Sequence, residues 1–362
     1  MVIVTIVNSI TETSMPVNEF AVYRAKNDYP TIEILLVCDK VKNSIIDIPE
    51  KLKVYYINNC IKKMRSVIKQ LIKKYDKNIV FHIHHERAAV LFYLASLFLD
   101  VRKYSLYTVH STYSDRNFKY KLLSFSATLF SRYITCVSMT AYDNYNFFIK
   151  KIKKERMCCI VNGVDTDRID LYKKKVFDDR SRKKIFYIAR MIPLKNHSFL
   201  LSLIRELKDY KLVLIGKEDA DRKIRSLAKT LNVYDRVEFT GTLKRNEVYY
   251  FLEPGAFYIS PSKVEGLPVS VLEAMRCGLI PILSNINPHK EIANAIKEIN
   301  VLDYDINKWV ISVYDYQKMD SKNIMQLSET ISTKVKERFS LYKMHEKYIS
   351  LYNKIINNEK HK

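Results

Sequence analysis

The sequence predicts an α/β protein built from two Rossmann-like, doubly wound domains, and three observations carry that prediction. Short β-branched runs alternate with helix-length amphipathic segments from one end of the chain to the other, the pattern of parallel sheets covered by helices on both faces. The 362 residues suffice for two or three domains with a sizeable core in each, at roughly 150 residues per domain. All six glycines, Gly163, Gly216, Gly241, Gly255, Gly266 and Gly278, fall between 163 and 278. Close backbone approaches to a ligand therefore belong to the second half, and the first half must work through side chains.

Taken in order, strands are expected near Val2–Val7, Ile32–Val37, Lys53–Ile57, Ile79–His84, Ser105–Val109 and Ile134–Val137. The run CCIV then leads into the turn Asn162-Gly163-Val164-Asp165, whose residue types favour a tight turn. In the second half strands are expected near Ile185–Ala189, Leu212–Ile215, Val237–Phe239, Ala256–Ile259 and Ile280–Leu283, with helices between them. Residues 165–184, DTDRIDLYKKKVFDDRSRKK, lose apolar periodicity and are dominated by charge, as expected of an interdomain connection. The expected domains are thus 1–164 and 185–340, followed by a C-terminal helix over 341–362 whose Lys/Asn-biased end frays.

Composition is that of a soluble globular chain: 48% hydrophobic and 28% charged, far from a disordered profile or a disulfide miniprotein. The net charge is +22, which predicts attraction to polyanions: nucleic acid, anionic lipid or phosphorylated small molecules. Residues 1–50 carry a net of -3, residues 51–160 a net of +15 and residues 161–362 a net of +10, so the excess is concentrated in the first domain. The six cysteines (Cys38, Cys60, Cys136, Cys158, Cys159, Cys277) form no C-x-x-C pair and no zinc-ligand spacing, and read as small buried hydrophobes in a reducing cytosol. The longest apolar run, Ala88–Leu99, has 12 residues, short of the ~20 that cross a bilayer. VIVTIV follows Met1 directly, without the basic region and cleavage site of a secretory signal, so a cytoplasmic location is expected.

The sharpest motif is SPSKVEGLPVSVLEAMRCGLIPILS, residues 260–284, which runs strand end, loop, helix, strand. It puts Glu265 in the loop and Glu273 in the helix. A helix starting near Leu267 with Pro268 in its first turn aims free N–H groups at whatever occupies the strand ends, an anion site in the crevice where open α/β sheets bind ligands. Arg190 and Lys195, at the end of KIFYIAR and before NHSFLLSLIREL, combine a fork-shaped and a point cation that suit a diphosphate.

Together with Asn162–Asp165, these segments resemble the family-4 (group 1) retaining glycosyltransferases of the GT-B fold, of bacterial surface-polysaccharide type. The resemblance is close over about 158–284 and elsewhere follows only the order of strands and helices. It implies two Rossmann-like domains facing a central cleft that takes a nucleotide-sugar donor, with a UDP-sugar ahead of a GDP-sugar. On that pattern Arg190 and Lys195 clamp the diphosphate, Gly266 and Leu267 offer backbone N–H groups to the phosphates, Glu273 holds the ribose and Glu265 the transferred sugar. His110, ending YSLYTVH, looks like the family's active-site histidine. His84 is a candidate to face the cleft; His82 and His85 read as structural. The family needs no metal, the leaving diphosphate helping to deprotonate the acceptor on the same face. The Asp-x-Asp pairs at 165/167, 219/221 and 303/305 are therefore not expected to bind one. The chain departs from the family after the first strand, where residues 8–20 lack glycine and leave Thr13, Ser14 or Asn18 to reach the acceptor, and at Ala189 and Asn196, where glycines are usual.

The basic stretch has its own reading. Ile61, Met64, Ile68, Leu71 and Tyr75 form one helical stripe, with Lys62, Lys63, Lys69, Lys73 and Lys74 elsewhere. YNFFIKKIKKER, residues 145–156, adds an aromatic and basic cluster. Such surfaces suit an anionic membrane interface, so peripheral binding at the inner face of the cytoplasmic membrane is expected, with a lipid-linked glycan as acceptor for lipopolysaccharide or capsule synthesis. A sugar-nucleotide epimerase of the same fold is the rival enzyme. Nucleic-acid binding is the rival of another class, but no recognisable nucleic-acid module accompanies the charge.

Overall fold

The computed structural model describes residues 1–10, 17–27, 29–39, 48–110, 118–218 and 222–360. The chain divides into two units, Met1–Gly163 with Leu341–Lys362, and Val164–Ser340.

The first unit holds a seven-stranded sheet: β1 Val2–Val7, β2 Ile32–Val37, β3 Lys53–Tyr56, β4 Ile79–His84, β5 Ser105–Val109, β6 Tyr133–Cys136 and β7 Met157–Cys159. Its order is β3-β2-β1-β4-β5-β6-β7, and every pairing is parallel. Strands β1, β4 and β5 are buried at every position, because helices cover both faces; this is why they read as continuous apolar runs rather than alternating ones. The helix Ile61–Tyr75 buries Met64, Val67, Ile68 and Leu71, each contributing about 1.5–3 kcal/mol. Its expected stripe is shorter than the sequence suggested: Ile61 is exposed, since the first turn overhangs the core, and the lysines lie on the outer face.

The second unit holds β8 Lys184–Ile188, β9 Lys211–Ile215, β10 Val237–Gly241, β11 Phe257–Ser260, β12 Ile280–Ser284 and β13 Asn300–Leu302. The order is β10-β9-β8-β11-β12-β13, again all parallel. The three-residue β13 is absent from the sequence reading because NVL is too short to register as a β-branched run. Gly216 follows β9 at φ +146, where an added Cβ would lie 2.2 Å from the Ala189 carbonyl oxygen. Glycine is thus required on the neighbouring strand end, opposite the Ala189 that replaces the family's glycine.

The segment 165–184 is structured within the second unit rather than standing apart as a connection. The Asp165 side chain accepts from Arg168 N at 3.0 Å and caps the helix Thr166–Tyr172, so charge there marks caps and an exposed helix face. The C-terminal helix Leu341–Lys360 belongs to the first unit, where Tyr348, Tyr352 and Ile355 enter the core. The helix near Leu267 begins at Val269: Pro268 is its N-cap with extended backbone (φ −77, ψ 94), its φ preset by the ring but its ψ non-helical. Cys38, Cys136 and Cys277 are buried as expected, whereas Cys60 is exposed and Cys158 and Cys159 are half-buried, lying on a helix start and an edge strand.

Candidate functional site

In the second unit the strand order reverses between β8 and β11: β9 and β10 lie to one side, β12 and β13 to the other. Loops leaving the carboxyl ends of two such strands diverge, and ligands of doubly wound sheets bind in the resulting crevice. Arg190 and Lys195 stand on the loop after β8; Glu265, Gly266 and Leu267 stand on the loop after β11.

The two loops are tied together. The buried Tyr187 hydroxyl donates to Lys195 O at 2.9 Å and sits 2.8 Å from Ser262 Oγ, while Lys263 N donates to Leu194 O at 2.9 Å. Lys195 Nζ pairs with Glu265 Oε1. Asn196 adopts the left-handed conformation, φ 54 and ψ 42, which asparagine tolerates better than most residues; this is how the chain manages without the expected glycine. Arg190 is exposed. Among the described residues no backbone acceptor takes the Gly266 or Leu267 N–H; these two donors stand on the loop after β11, and Arg190 and Lys195 on the loop after β8.

Glu273 is buried, and its Oε1 accepts from Arg245 Nε at 2.9 Å, from Arg245 Nη2, and from the Tyr249 hydroxyl at 2.7 Å. Arg245 and Tyr249 lie four apart on the helix Arg245–Phe251, one face of that helix, and Arg245 Nε also lies 2.7 Å from the Tyr249 hydroxyl. All three of these bonds go to Oε1. His289, in the first turn of the helix Asn287–Ala295, has Nδ1 at 2.9 Å from Ser284 O, and Ser284 Oγ donates to Ser262 O at 2.6 Å. Burial pushes His289 down to about 4, so it is a neutral brace behind the loop that carries Glu265. Arg245, Tyr249 and His289 escaped the sequence reading; only the Arg-x-x-x-Tyr spacing signals them, and such pairs are common.

In the first unit, the buried His82 and His84 and the half-buried His110 form a chain at the ends of β4 and β5. His82 Nδ1 lies 2.7 Å from the Tyr352 hydroxyl and its Nε2 2.7 Å from Thr108 Oγ1. His84 Nδ1 lies 2.9 Å from His110 Nε2, so one ring donates and the other accepts. His82 and His84 share a sheet face, as residues two apart on a strand do, with ring centroids 4.0 Å apart. Burial holds His82 and His84 well below the usual imidazole range and pushes His110 down to about 3. All three are therefore neutral at neutral pH, and His110 can orient a hydroxyl but carries no charge. His85 follows at φ 70 with its ring 5.7 Å from that of His110.

Of the acidic pairs, Asp165 is a helix cap, Asp305 caps Ile306–Lys318 through Asn307 N at 3.0 Å, and Asp303 accepts from Asn285 Nδ2 at 2.6 Å. Among the described residues no three His, Cys, Asp or Glu side chains cluster as metal ligands. Asp219, Asp221, Thr13 and Ser14 lie outside the described residues; Asn18 falls in the helix Val17–Lys26. Among the described residues no helix is long and apolar enough to cross a membrane.

Residues 168–354 match the family Glycosyl transferases group 1 and residues 41–168 match Glycosyltransferase Family 4. The chain is 27% identical over 316 residues to the Escherichia coli O-antigen biosynthesis glycosyltransferase WclY, covering 81% of this chain and 83% of that one. It is 25% identical over 329 residues, 83% of this chain and 81% of that one, to the Escherichia coli UDP-Gal:alpha-D-GlcNAc-diphosphoundecaprenol alpha-1,3-galactosyltransferase. A shorter match, 29% over 130 residues, spans 33% of this chain and 36% of an uncharacterized Haemophilus influenzae glycosyltransferase. The structure of Anabaena HepE in complex with UDP and glucose superposes with a TM-score of 0.77 at 14% identity, covering 98% of this chain and 100% of that one. With two parallel-sheet α/β domains of the GT-B fold and a family match over more than half its length, the chain belongs to the group 1 glycosyl transferases and is a glycosyltransferase.

Proposed function

We propose that this enzyme transfers a sugar from a UDP-sugar donor, with retention, to a lipid-linked glycan acceptor in the synthesis of a bacterial surface polysaccharide such as O-antigen or capsule. The observation that supports the donor half is the Lys195–Glu265 pair, which ties together the two strand-end loops that carry Arg190, Gly266 and Leu267 at the strand reversal of the second unit. In this reading the diphosphate takes Lys195 and Arg190, releasing Glu265 to hold hydroxyls of the transferred sugar, and Glu273 Oε2 takes the ribose. Gly266 and Leu267 stabilise the charge that grows on the departing diphosphate, the kind of preorganised donor that acts where charge develops. That oxygen then accepts the proton of the acceptor hydroxyl on the face it leaves, so the new glycosidic bond forms as the old one breaks and configuration is retained. No metal is needed, because two cations and two N–H dipoles already offset the diphosphate. HepE was solved with UDP, and the galactosyltransferase relative is named for a UDP-Gal donor and a diphosphoundecaprenol-linked acceptor; both favour UDP and a lipid-linked acceptor.

His110 would orient the donor sugar or the acceptor as a neutral imidazole. The first unit presents exposed Phe118, Leu122, Phe147, Phe148 and Ile152, interleaved with Lys119, Lys121, Lys150, Lys151 and Lys154. Apolar side chains for the acyl boundary and lysines for anionic headgroups, each worth about 1 kcal/mol, favour peripheral attachment to the inner face of the cytoplasmic membrane. The test is titration calorimetry with UDP, GDP, ADP and CDP in the presence of EDTA, followed by nuclear magnetic resonance of the anomeric centre of the product. Selective UDP binding without metal and a retained anomer are expected. Binding of no nucleotide, or an inverted product, would overturn the reading.

A further inference from the structure

His84 is the last residue of β4, and His110 follows the end of β5. The two strands are parallel with His84 opposite Thr108, so His110, two positions beyond Thr108, comes to the same sheet face as His84. That register brings His84 Nδ1 to 2.9 Å from His110 Nε2. His84 has little freedom to turn away. Its ring lies against that of His82, centroids 4.0 Å apart, and His82 is held at both nitrogens, 2.7 Å from the Tyr352 hydroxyl and 2.7 Å from Thr108 Oγ1. Tyr352 stands on the C-terminal helix Leu341–Lys360 of the same unit, so the helix braces His82, His82 braces His84, and His84 bonds His110.

A single proton lies between His84 and His110. Burial keeps both rings neutral, and a neutral imidazole has its proton on one nitrogen and a lone pair on the other. The bond can therefore run in only two directions. If His84 Nδ1–H donates, His110 Nε2 accepts and the His110 proton sits on Nδ1; both rings are then in the Nδ1–H form, the less stable tautomer of a histidine side chain. If His110 Nε2–H donates, His84 Nδ1 accepts and both rings keep the more stable Nε2–H form. The second direction makes the same bond with no tautomer penalty in either ring, and it leaves a lone pair on His110 Nδ1.

We infer that His84 is a positioning residue that holds His110 in the Nε2–H tautomer, so that His110 Nδ1 meets its ligand as a hydrogen-bond acceptor for a sugar hydroxyl. The state of one imidazole nitrogen is set by the bond the other makes, and here that bond is to His84. The inference rests on the reading of His110 as a group that orients the donor sugar or the acceptor, and it adds the polarity of the contact: a lone pair takes a hydroxyl proton and repels a phosphate oxygen. His110 thus serves the hydroxyl-bearing part of the substrate, and the diphosphate is left to the second unit.

The test uses the full chain labelled with nitrogen-15, its imidazole nitrogens observed by magnetic resonance at neutral pH and the His110 signals assigned by their disappearance in His110→Ala. The parent should show a protonated Nε2 and an unprotonated Nδ1. His84→Asn, whose side-chain oxygen can take the place of Nδ1 as acceptor, should keep that pattern, and His84→Leu should give a mixture of the two tautomers. Turnover of the UDP-sugar that the parent uses best should fall about 10²-fold in His84→Leu, through kcat rather than KM, as a misplaced orienting group does, and should recover in His84→Asn. A parent with the proton on His110 Nδ1, or a His84→Leu variant with the parental nitrogen pattern, would overturn the inference. Slow turnover in His110→Ala beside parental turnover in His84→Leu would overturn it alone, whereas parental turnover in His110→Ala would remove the role of His110 on which it rests. Unchanged circular dichroism and melting of the variants separate these outcomes from misfolding.

Discussion

Replacing Glu273 by alanine removes the carboxylate from a pair in which both side chains are only 9% exposed. The partner Arg245 cannot shed its proton, so the variant removes the carboxylate that faces its guanidinium and the Tyr249 hydroxyl. Truncating one member of a buried, hydrogen-bonded ion pair costs about 3–5 kcal/mol. At about 2–4 °C per kcal/mol for a domain of this size, the melting transition of the second unit should drop by roughly 6–20 °C. Glu273→Gln, which keeps an oxygen acceptor but loses the charge, should cost about 1–3 kcal/mol. Arg245→Met/Glu273→Met, which removes both charges and fills the space, should recover most of the loss, since apolar replacement of a buried pair is often near neutral. The assay is scanning calorimetry of all four proteins, with UDP titration of each at a temperature where it is folded. Wild-type melting of Glu273→Ala would refute the argument that the pair is buried and coupled. A double variant as unstable as Glu273→Ala would refute the claim that loss of the carboxylate opposite Arg245 causes the drop. UDP affinity should fall in all three variants, the double included, because the proposed ribose contact goes with the glutamate whatever the stability.

Glu265→Gln should retain UDP binding but lower turnover about 10²–10³-fold, as expected when a charge-stabilising group is removed; a variant with parental turnover in a donor-saturated assay removes Glu265 from the chemistry. Gly216→Ala should destabilise the second unit by at least ~1–3 kcal/mol, because φ +146 and the 2.2 Å approach to Ala189 O exclude a Cβ; denaturant unfolding with an unchanged midpoint contradicts this. Stability should also fall on acidification. His110 near 3 and His289 near 4 stay neutral in the folded chain, whereas unfolded imidazoles take up a proton near pH 6.5. Their contribution is complete above about pH 6.5 and is lost progressively as pH falls toward 4, so melting temperatures measured from pH 7.5 to 5.0 should decline, and a flat profile would show that these rings protonate in place.

The sequence alone was enough for the strands of both sheets that lie in the interior. β1, β2, β4 and β5 match the expected strands residue for residue, because a strand buried on both faces is written mainly in apolar side chains, with Glu33, His82, His84 and Thr108 among the buried polar exceptions that find hydrogen-bond partners. It also put Arg190, Lys195 and Glu265 on strand-end loops and Glu273 in the helix that follows, where the structure has them. Short or marginal elements were not legible in the same way: β13 has too few residues to carry a period, and the start of the helix at Val269 turned on the ψ of Pro268, which no residue identity fixes. The tertiary structure alone decided which polar side chains partner one another. The ion pairs of Lys195 with Glu265 and Arg245 with Glu273 and the hydrogen bond of His84 with His110 span 26 to 70 positions, and such partners are chosen by proximity in the folded interior, not by spacing along the chain. The same holds for 165–184, read as a connection, and for 341–362, read as a C-terminal helix with a fraying end. Yet Asp165 finds a helix to cap, and Tyr348 and Tyr352 find a buried histidine and two threonines to bond, and those contacts exist only once the sheets have formed.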